Sequence, residues 1–342
     1  MSVVSYNEYC EMLNKAYNNN YAYPAFNVSN METASAVLMG LEKANSDGII
    51  QISIGGAAHA SGANVKDSVL GAIVLSDYIR VVADRYNVNV ALHTDHCRNS
   101  ELNSYLIPLI EETEKRRKEG LGNLFSSHMF DGSDISLDEN LNISKELLAR
   151  CAKNEIILEI EIGVVGGEED GVNNENVTNS KLYSTPEDML KAYEALKDIS
   201  SNYIVAATFG NVHGVYKPGN VKLKPKVLLE GKNAIESKYG KGNAFKFVFH
   251  GGSGSSKEDI KETLNYGVVK MNIDTDTQYA FTRPIVDHMF KNYDGVLKIE
   301  GEVGVKSLYD PRSYLKKAQE SMAERVFEAC EDLNSVNSHI DF

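Results

Sequence analysis

The feature that most limits how this chain can fold is an alternation of short apolar runs with stretches of helical period, repeated eight times. The runs span 23–28, 48–54, 88–94, 123–129, 155–162, 203–209, 244–249 and 268–273. Gly48 to Ile54 (GIIQISI) is almost unbroken in apolar character, which is how a parallel strand covered on both faces reads. The intervening segments carry helix signals. Ser29-x-x-Glu32 forms a capping box for a helix to Ala44, Thr185-Pro186 with Asp188 opens another, and Ser256-x-x-Asp259 caps one that Gly267 ends. Further helices are expected at 6–17, 65–85, 102–118, 143–152, 226–239, 277–290 and 311–333. Eight such units specify an α/β architecture, a (β/α)8 TIM barrel with additional N- and C-terminal helices, filling residues 1–342 as one domain. A doubly wound sheet also alternates this way, but no G-x-G-x-x-G follows the first strand.

One connection stands apart. Gly163 to Ser184 lacks periodicity and is rich in Gly and Asn, and its place after a barrel strand suits a lid. The formal charge of −13 argues against nucleic-acid or anionic-membrane partners. It still allows an anionic small molecule gripped by backbone N–H groups and local cations. Cys10, Cys97, Cys151 and Cys330 lie far apart with no C-x-x-C pair, so neither a disulfide framework nor a thiolate zinc site is expected. The opening MSVVSYNEYC has no basic n-region and no apolar run reaches the roughly 18 residues of a membrane span, which points to a soluble, cytoplasmic protein.

Val88 to Cys97 reads VNVALHTDHC. Val88, Val90, Leu92 and Thr94 share one face of the strand; Asn89, Ala91, His93 and Asp95 share the other, and His96 follows at once. A carboxylate beside an imidazole at a strand end suits proton transfer or metal binding. Taken alone, the stretch equally describes an edge strand with solvated polar residues. Barrel active sites gather at the C-terminal ends of the strands, and polar groups accumulate there. The third strand delivers Asp95 and His96, and the fifth Glu159 and Glu161. The sixth runs into Asn211, His213 and Lys217, the seventh into His250, and the eighth into Asn272 and Asp274.

Parity supports this placement. Ile156, Leu158, Ile160 and Ile162 form an outward face, leaving Glu159 and Glu161 inside; Val269, Met271 and Ile273 face out, leaving Lys270, Asn272 and Asp274 inside. Phe245, Phe247 and Phe249 share one face, with Lys246 and His250 on the other. Buried salt bridges account for Lys246, Lys270 and Glu159 but not for three histidines at three strand ends. His96, His213 and His250 make a tripod for a divalent ion, most naturally Zn²⁺, with open positions for substrate. His93 reads as core or supporting, and His288 and His339 as uninvolved. The loop from His250 to Ser256 (HGGSGSS), beside Asn272 to Thr275 and Lys217, suits a phosphate. Gly166 to Gly171 (GGEEDG) places carboxylates on the lid, where closure would carry one over a bound substrate.

With these pieces assembled, the chain resembles the class II, metal-dependent fructose-1,6-bisphosphate aldolases, in their class IIA branch. The matching stretches are PAFNV, QISIGGAA, ALHTDHC, SSHMFD, LEIEIGVVGGEEDGV, ATFGNVHGVYKPG, FHGGSGS, VVKMNIDTDTQ and YDPRSYL, which span most of the chain in order. The resemblance implies aldol cleavage of fructose 1,6-bisphosphate, with His96, His213 and His250 as zinc ligands. It makes Asp95 the acid/base at the C4 hydroxyl and Glu169 the base at C3 of dihydroxyacetone phosphate. It places Glu161 and Asp131 near a second divalent position. Gly214, Gly251, Ser253, Asp274 and Thr275 match the C1-phosphate site; Val212, Gly214 and Gly251 match a monovalent-cation site for K⁺ or Na⁺. Asn27 and Ser53 match substrate contacts, and Arg312 a contact to the C6 phosphate from a neighbouring subunit, so a homodimer or homotetramer is implied. A tagatose-bisphosphate aldolase and a metal-binding scaffold barrel are the rival readings. A Schiff-base route through Lys246 or Lys270 would leave the histidines unexplained.

Overall fold

The structure is a computed structural model and describes residues 2–164, 166–169, 172–173, 182–213, 222–252, 255–297 and 304–342, with the backbone alone for 166–169, 172–173 and 212–213. The strands are β1 (Tyr23–Asn27), β2 (Gly48–Ile52), β3 (Val90–Thr94), β4 (Ser127–Phe130), β5 (Ile157–Ile162) and β6 (Gly166–Glu169). They continue with β7 (Val172–Asn173), β8 (Tyr203–Ala207), β9 (Val212–His213), β10 (Phe247–Phe249) and β11 (Val268–Ile273). Eight of these close a parallel barrel in the order β1-β11-β10-β8-β5-β4-β3-β2, as the alternation requires. The helices are α1 (Tyr6–Asn19), α2 (Met31–Ala44), α3 (Ile54–Ala60), α4 (Ser68–Ala83), α5 (Ile107–Lys118), α6 (Leu137–Lys153) and α7 (Pro186–Leu196). After these come α8 (Lys226–Tyr239), α9 (Lys257–Leu264), α10 (Thr275–Lys291), the single turns α11 (Tyr293–Val296) and α12 (Lys306–Tyr309), and α13 (Pro311–Asp332).

Strand parity divides the core into two. Phe26, Ile50, Leu92, Leu158, Ile160, Val205 and Phe249 pack outward against the helices. Ala25, Ile49, Ala91, Ile157, Ile204 and Val248 fill the barrel interior, where Tyr9, Met12 and Leu13 of α1 join them. The leading helix is thus a stopper for the N-terminal end of the barrel, burying side chains worth roughly 1.5–3 kcal/mol each. His339 also has a structural role: its Nδ1 lies 2.7 Å from buried Asp47 Oδ1, and Ile340 N donates to the other oxygen at 3.0 Å. These bonds pin the C-terminal tail. α13 lies close on α2, where a Cβ at Gly40 would stand 2.4 Å from Val326 Cβ.

Several expectations are corrected locally. Helix α2 is capped by Asn30 and not by Ser29: Asn30 Oδ1 accepts from Thr33 N at 2.8 Å while Thr33 Oγ1 accepts from Asn30 N, a reciprocal pair one residue further on. The small-residue stretch after β2 contains α3, capped by Ser53. The expected helix 102–118 begins as a π turn (Leu102–Leu106), and its regular part starts at Ile107, just ahead of Pro108. Val269 joins the interior cluster although alternation put it outside; the register between β10 and β11 shifts at Phe247/Val248, and that irregularity breaks the parity. The segment expected to be a lid has strand pairing among its described residues. β6 and β7 pair antiparallel, and β6 runs parallel to β9, matching Gly167 with His213. Among the described residues no helix is long and apolar enough to cross a membrane.

Candidate active site at the C-terminal mouth of the barrel

Strand register decides which side chains meet. Asn27 sits opposite Gln51, Gln51 opposite His93, and His93 opposite Ser127, so a polar row crosses β1 to β4 inside the barrel. Just beyond it Asp95 and His96 leave β3, Asp131 leaves β4, Glu161 lies on β5 and His250 leaves β10. His96, Glu161 and His250 each place a ligand atom within 4.8 Å of the others. Their rings and carboxylate are close: His96 and His250 centroids are 4.8 Å apart, and Glu161 Oε2 lies 3.3 Å from His250 Nδ1 and 3.5 Å from His96 Nδ1.

Each imidazole is backed by a second carboxylate. Asp131 Oδ2 lies 3.0 Å from His96 Nδ1, and Glu159 Oε1 lies 2.7 Å from His250 Nε2. Such partners fix ring orientation and tautomer in metal sites. Burial alone would push the His250 charge out, yet Glu161 and Glu159 outweigh it and raise its pKa to about 9. For Asp131 burial acts upward, and the His96 and Ser133 bonds overcome it and hold the carboxyl well below the usual range. Glu161 Oε2 is buried, and among the described residues it faces only the two imidazoles. A carboxylate oxygen confined between two carboxylate-backed imidazoles is a donor set suited to a divalent cation, which would take up the charge now concentrated there.

Asp95 is 1 % exposed and held at both oxygens. Asn27 Nδ2 donates to Oδ2 at 2.8 Å, and Asn272 Nδ2 donates to Oδ1 at 3.3 Å. Deeper still, Lys270 Nζ donates to Glu159 Oε2 at 2.8 Å and to Asn272 Oδ1 at 2.7 Å. His93 is buried beside Glu159 at 3.4 Å; burial, and then Lys270, keep its pKa far below normal, so it is a neutral supporting group. A cavity of about 410 Å³ is lined in part by Asn27, which holds Asp95, and by Ser53, Asp274 and Gln278. Asp274 accepts from Gln278 at 2.9 Å, and Thr275 is the first residue of α10, so its backbone N–H lies at a helix N-terminus. Gly251 adopts φ 61° directly after His250.

Other expected residues fall elsewhere. Gly214, Lys217 and Ser253 lie outside the described residues. His213, Val212 and Glu169 are described by backbone only, on the paired strands β9 and β6. Arg312 is exposed at the start of α13, where its guanidinium holds Asp310 of its own chain at 2.6 Å. Two partnerships escaped the sequence reading: Glu159 behind His250, and Gln51, which donates to Asn27 Oδ1. Inward parity on β5 and β2 was the available signal, but alternation says which face a residue occupies and not which neighbour it meets.

The family model described as fructose-bisphosphate aldolase class-II matches residues 7–338. The chain belongs to the class-II fructose-bisphosphate aldolases. The fructose-bisphosphate aldolase of Mycobacterium tuberculosis is 57% identical over 338 residues, covering 98% of each chain. That of Corynebacterium glutamicum is 55% identical over 340 residues, again with 98% of each covered. The crystal structure of the fructose-bisphosphate aldolase from Campylobacter jejuni superposes with a TM-score of 0.88 at 41% identity, covering 98% of this chain and 97% of that one. The family is metal-dependent, and among the described residues His96, Glu161 and His250 form a cluster that could hold a metal ion.

Proposed function

We propose that the chain catalyses the reversible aldol cleavage of fructose 1,6-bisphosphate to dihydroxyacetone phosphate and glyceraldehyde 3-phosphate. In this reading Zn²⁺ is held by His96, His213 and His250, with Glu161 and Asp131 beside an alternative divalent position. The observation that carries it is the adjacency of that carboxylate-backed imidazole cluster to Asp95, whose two oxygens are both gripped by strand-end amides. A divalent ion bound there supplies Lewis-acid polarisation of the C2 carbonyl.

The chain's own residues do the rest. Asp95, buried and kept in one orientation, takes the C4-hydroxyl proton as the C3–C4 bond breaks. Glu169 returns a proton at C3 when the β6–β7 ribbon lies over the site, and the covered site keeps water away from the carbanionic product. The loop at Gly251 and Ser253, the α10 start at Asp274 and Thr275, and Gly214 and Lys217 receive the C1 phosphate. Val212, Gly214 and Gly251 offer carbonyls to K⁺ or Na⁺. Asn27, Ser53 and Asn272 contact the sugar.

Arg312 reaches the C6 phosphate of a neighbouring subunit in a homodimer or homotetramer. The exposed Tyr279, Val286 and Phe290 on α10 support an association of copies. Four free cysteines suit a cytoplasmic location. The deciding experiment is a coupled cleavage assay on fructose and tagatose 1,6-bisphosphates, with and without a chelator. Chelator-sensitive cleavage of the fructose ester is expected. Preference for tagatose would reassign the substrate, activity after thorough metal removal would end the metal mechanism, and no cleavage of either would favour a scaffold role.

A further inference from the structure

We propose that Lys270 is a positioning residue that sets the orientation of Asp95 through Asn272 while anchoring the carboxylate behind His250. The proposal rests on the reading of Asp95 as the group that exchanges the C4-hydroxyl proton. Lys270 is fully buried on β11, and its Nζ donates at once to Glu159 Oε2 at 2.8 Å and Asn272 Oδ1 at 2.7 Å. An ammonium has donors and no acceptor, so the edge of Asn272 that faces it is the carbonyl. The amide NH₂ is thereby turned to Asp95 Oδ1, 3.3 Å away. Without the lysine, Asn272 Oδ1 loses its donor, and only the weaker 3.3 Å contact to Asp95 is left to hold the amide.

The other oxygen of Asp95 is governed in the same manner. Gln51 Nε2 donates to Asn27 Oδ1, and Asn27 Nδ2 is left to donate to Asp95 Oδ2 at 2.8 Å. Both amides therefore take their direction from donors inside the barrel, Gln51 across the β1–β2 pair and Lys270 two residues back on β11. The second arm of Lys270 reaches Glu159, which accepts from His250 Nε2 at 2.7 Å. A single buried cation thus connects the imidazole side of the site to the proton-exchanging side. A purely structural lysine would only neutralise Glu159, and the two roles move different observables.

Exchange of the C3 proton of dihydroxyacetone phosphate involves no C4 hydroxyl, whereas cleavage of the bisphosphate does. Lys270→Met is expected to slow fructose-bisphosphate cleavage by about 10–100-fold, the range for a lost buried hydrogen bond to a charge, and to change C3 exchange by less than about threefold. Bound metal per chain stays as in the wild type. Lys270→Arg, which keeps the charge and its donors, restores part of the cleavage rate. Equal losses of exchange and cleavage, or loss of metal, would overturn the proposal, because Lys270 would then act through Glu159 alone. Where Lys270→Met does not fold, Lys270→Met/Glu159→Gln removes both buried charges and is compared with Glu159→Gln for the same split. A wild-type protein that neither exchanges the C3 proton nor cleaves the bisphosphate would refute the functional reading and leave the positioning role aside.

Discussion

Asp131→Ala tests whether the carboxylate behind His96 prepares that imidazole for a metal. Asp131 is 3 % exposed, with Oδ2 3.0 Å from His96 Nδ1 and Oδ1 accepting from Ser133 N at 3.0 Å. A carboxylate fixed by its own loop keeps the proton on Nδ1, which leaves Nε2 as the lone-pair nitrogen. Removal of such a partner costs about 10–100-fold in metal affinity, or about 1.4–2.7 kcal/mol. Asp131→Asn, which keeps a neutral acceptor, should lose less. Affinity is read by competition with a chromophoric chelator near neutral pH, and unfolding with and without added metal checks that the variant is intact. Unchanged affinity would refute the reasoning from geometry. A loss far beyond about 100-fold would show that Asp131 is itself a ligand and not the partner of one.

Two further outcomes are expected. His128 is fully buried, its Nδ1 2.8 Å from Thr94 Oγ1, and burial lowers its pKa to about 3. The unfolded chain binds the proton near the ordinary value of about 6.5, so this stabilising contribution is complete above that pH and fades as pH falls below it. Denaturant unfolding at about pH 7 and about pH 5 should show wild type losing about 2 kcal/mol more than His128→Gln, and equal losses would contradict a buried neutral imidazole. Asp95→Ala should keep its metal and lose cleavage, as metal analysis beside the coupled assay would show; a metal-free variant would make Asp95 a ligand.

The barrel was legible because period and parity act through the backbone. The helices at Lys226–Tyr239 and Pro186–Leu196 and the strand Val268–Ile273 fall where apolar spacing, Thr185 and Pro186 put them. Parity also placed Glu159, Glu161, Lys270 and Asn272 inside. It failed at Val269, where the irregular pairing of β10 with β11 interrupts the alternation that the reading assumed. Capping was legible in kind but not in position: Ser29 and Asn30 are both good cap residues, and Thr33 selects the second. The pairing of Glu159 with His250 and Lys270 joins strands β5, β10 and β11, and no local pattern encodes contacts between residues some 90 to 110 positions apart.

The short parallel ladder between β6 and β9 sets a rule for the chain's evolution. Gly166 and Gly167 are matched with Val212 and His213, and Glu169 follows two residues along the same strand. The segment bearing the proposed C3 base is therefore stitched to the segment bearing the third imidazole. A one-residue slip of this ladder would put the two segments out of phase with each other. Surface connections ordinarily tolerate gain or loss of residues. The few residues between β5 and β6 should not, and length changes in this region should be confined to the sequence beyond Asn173.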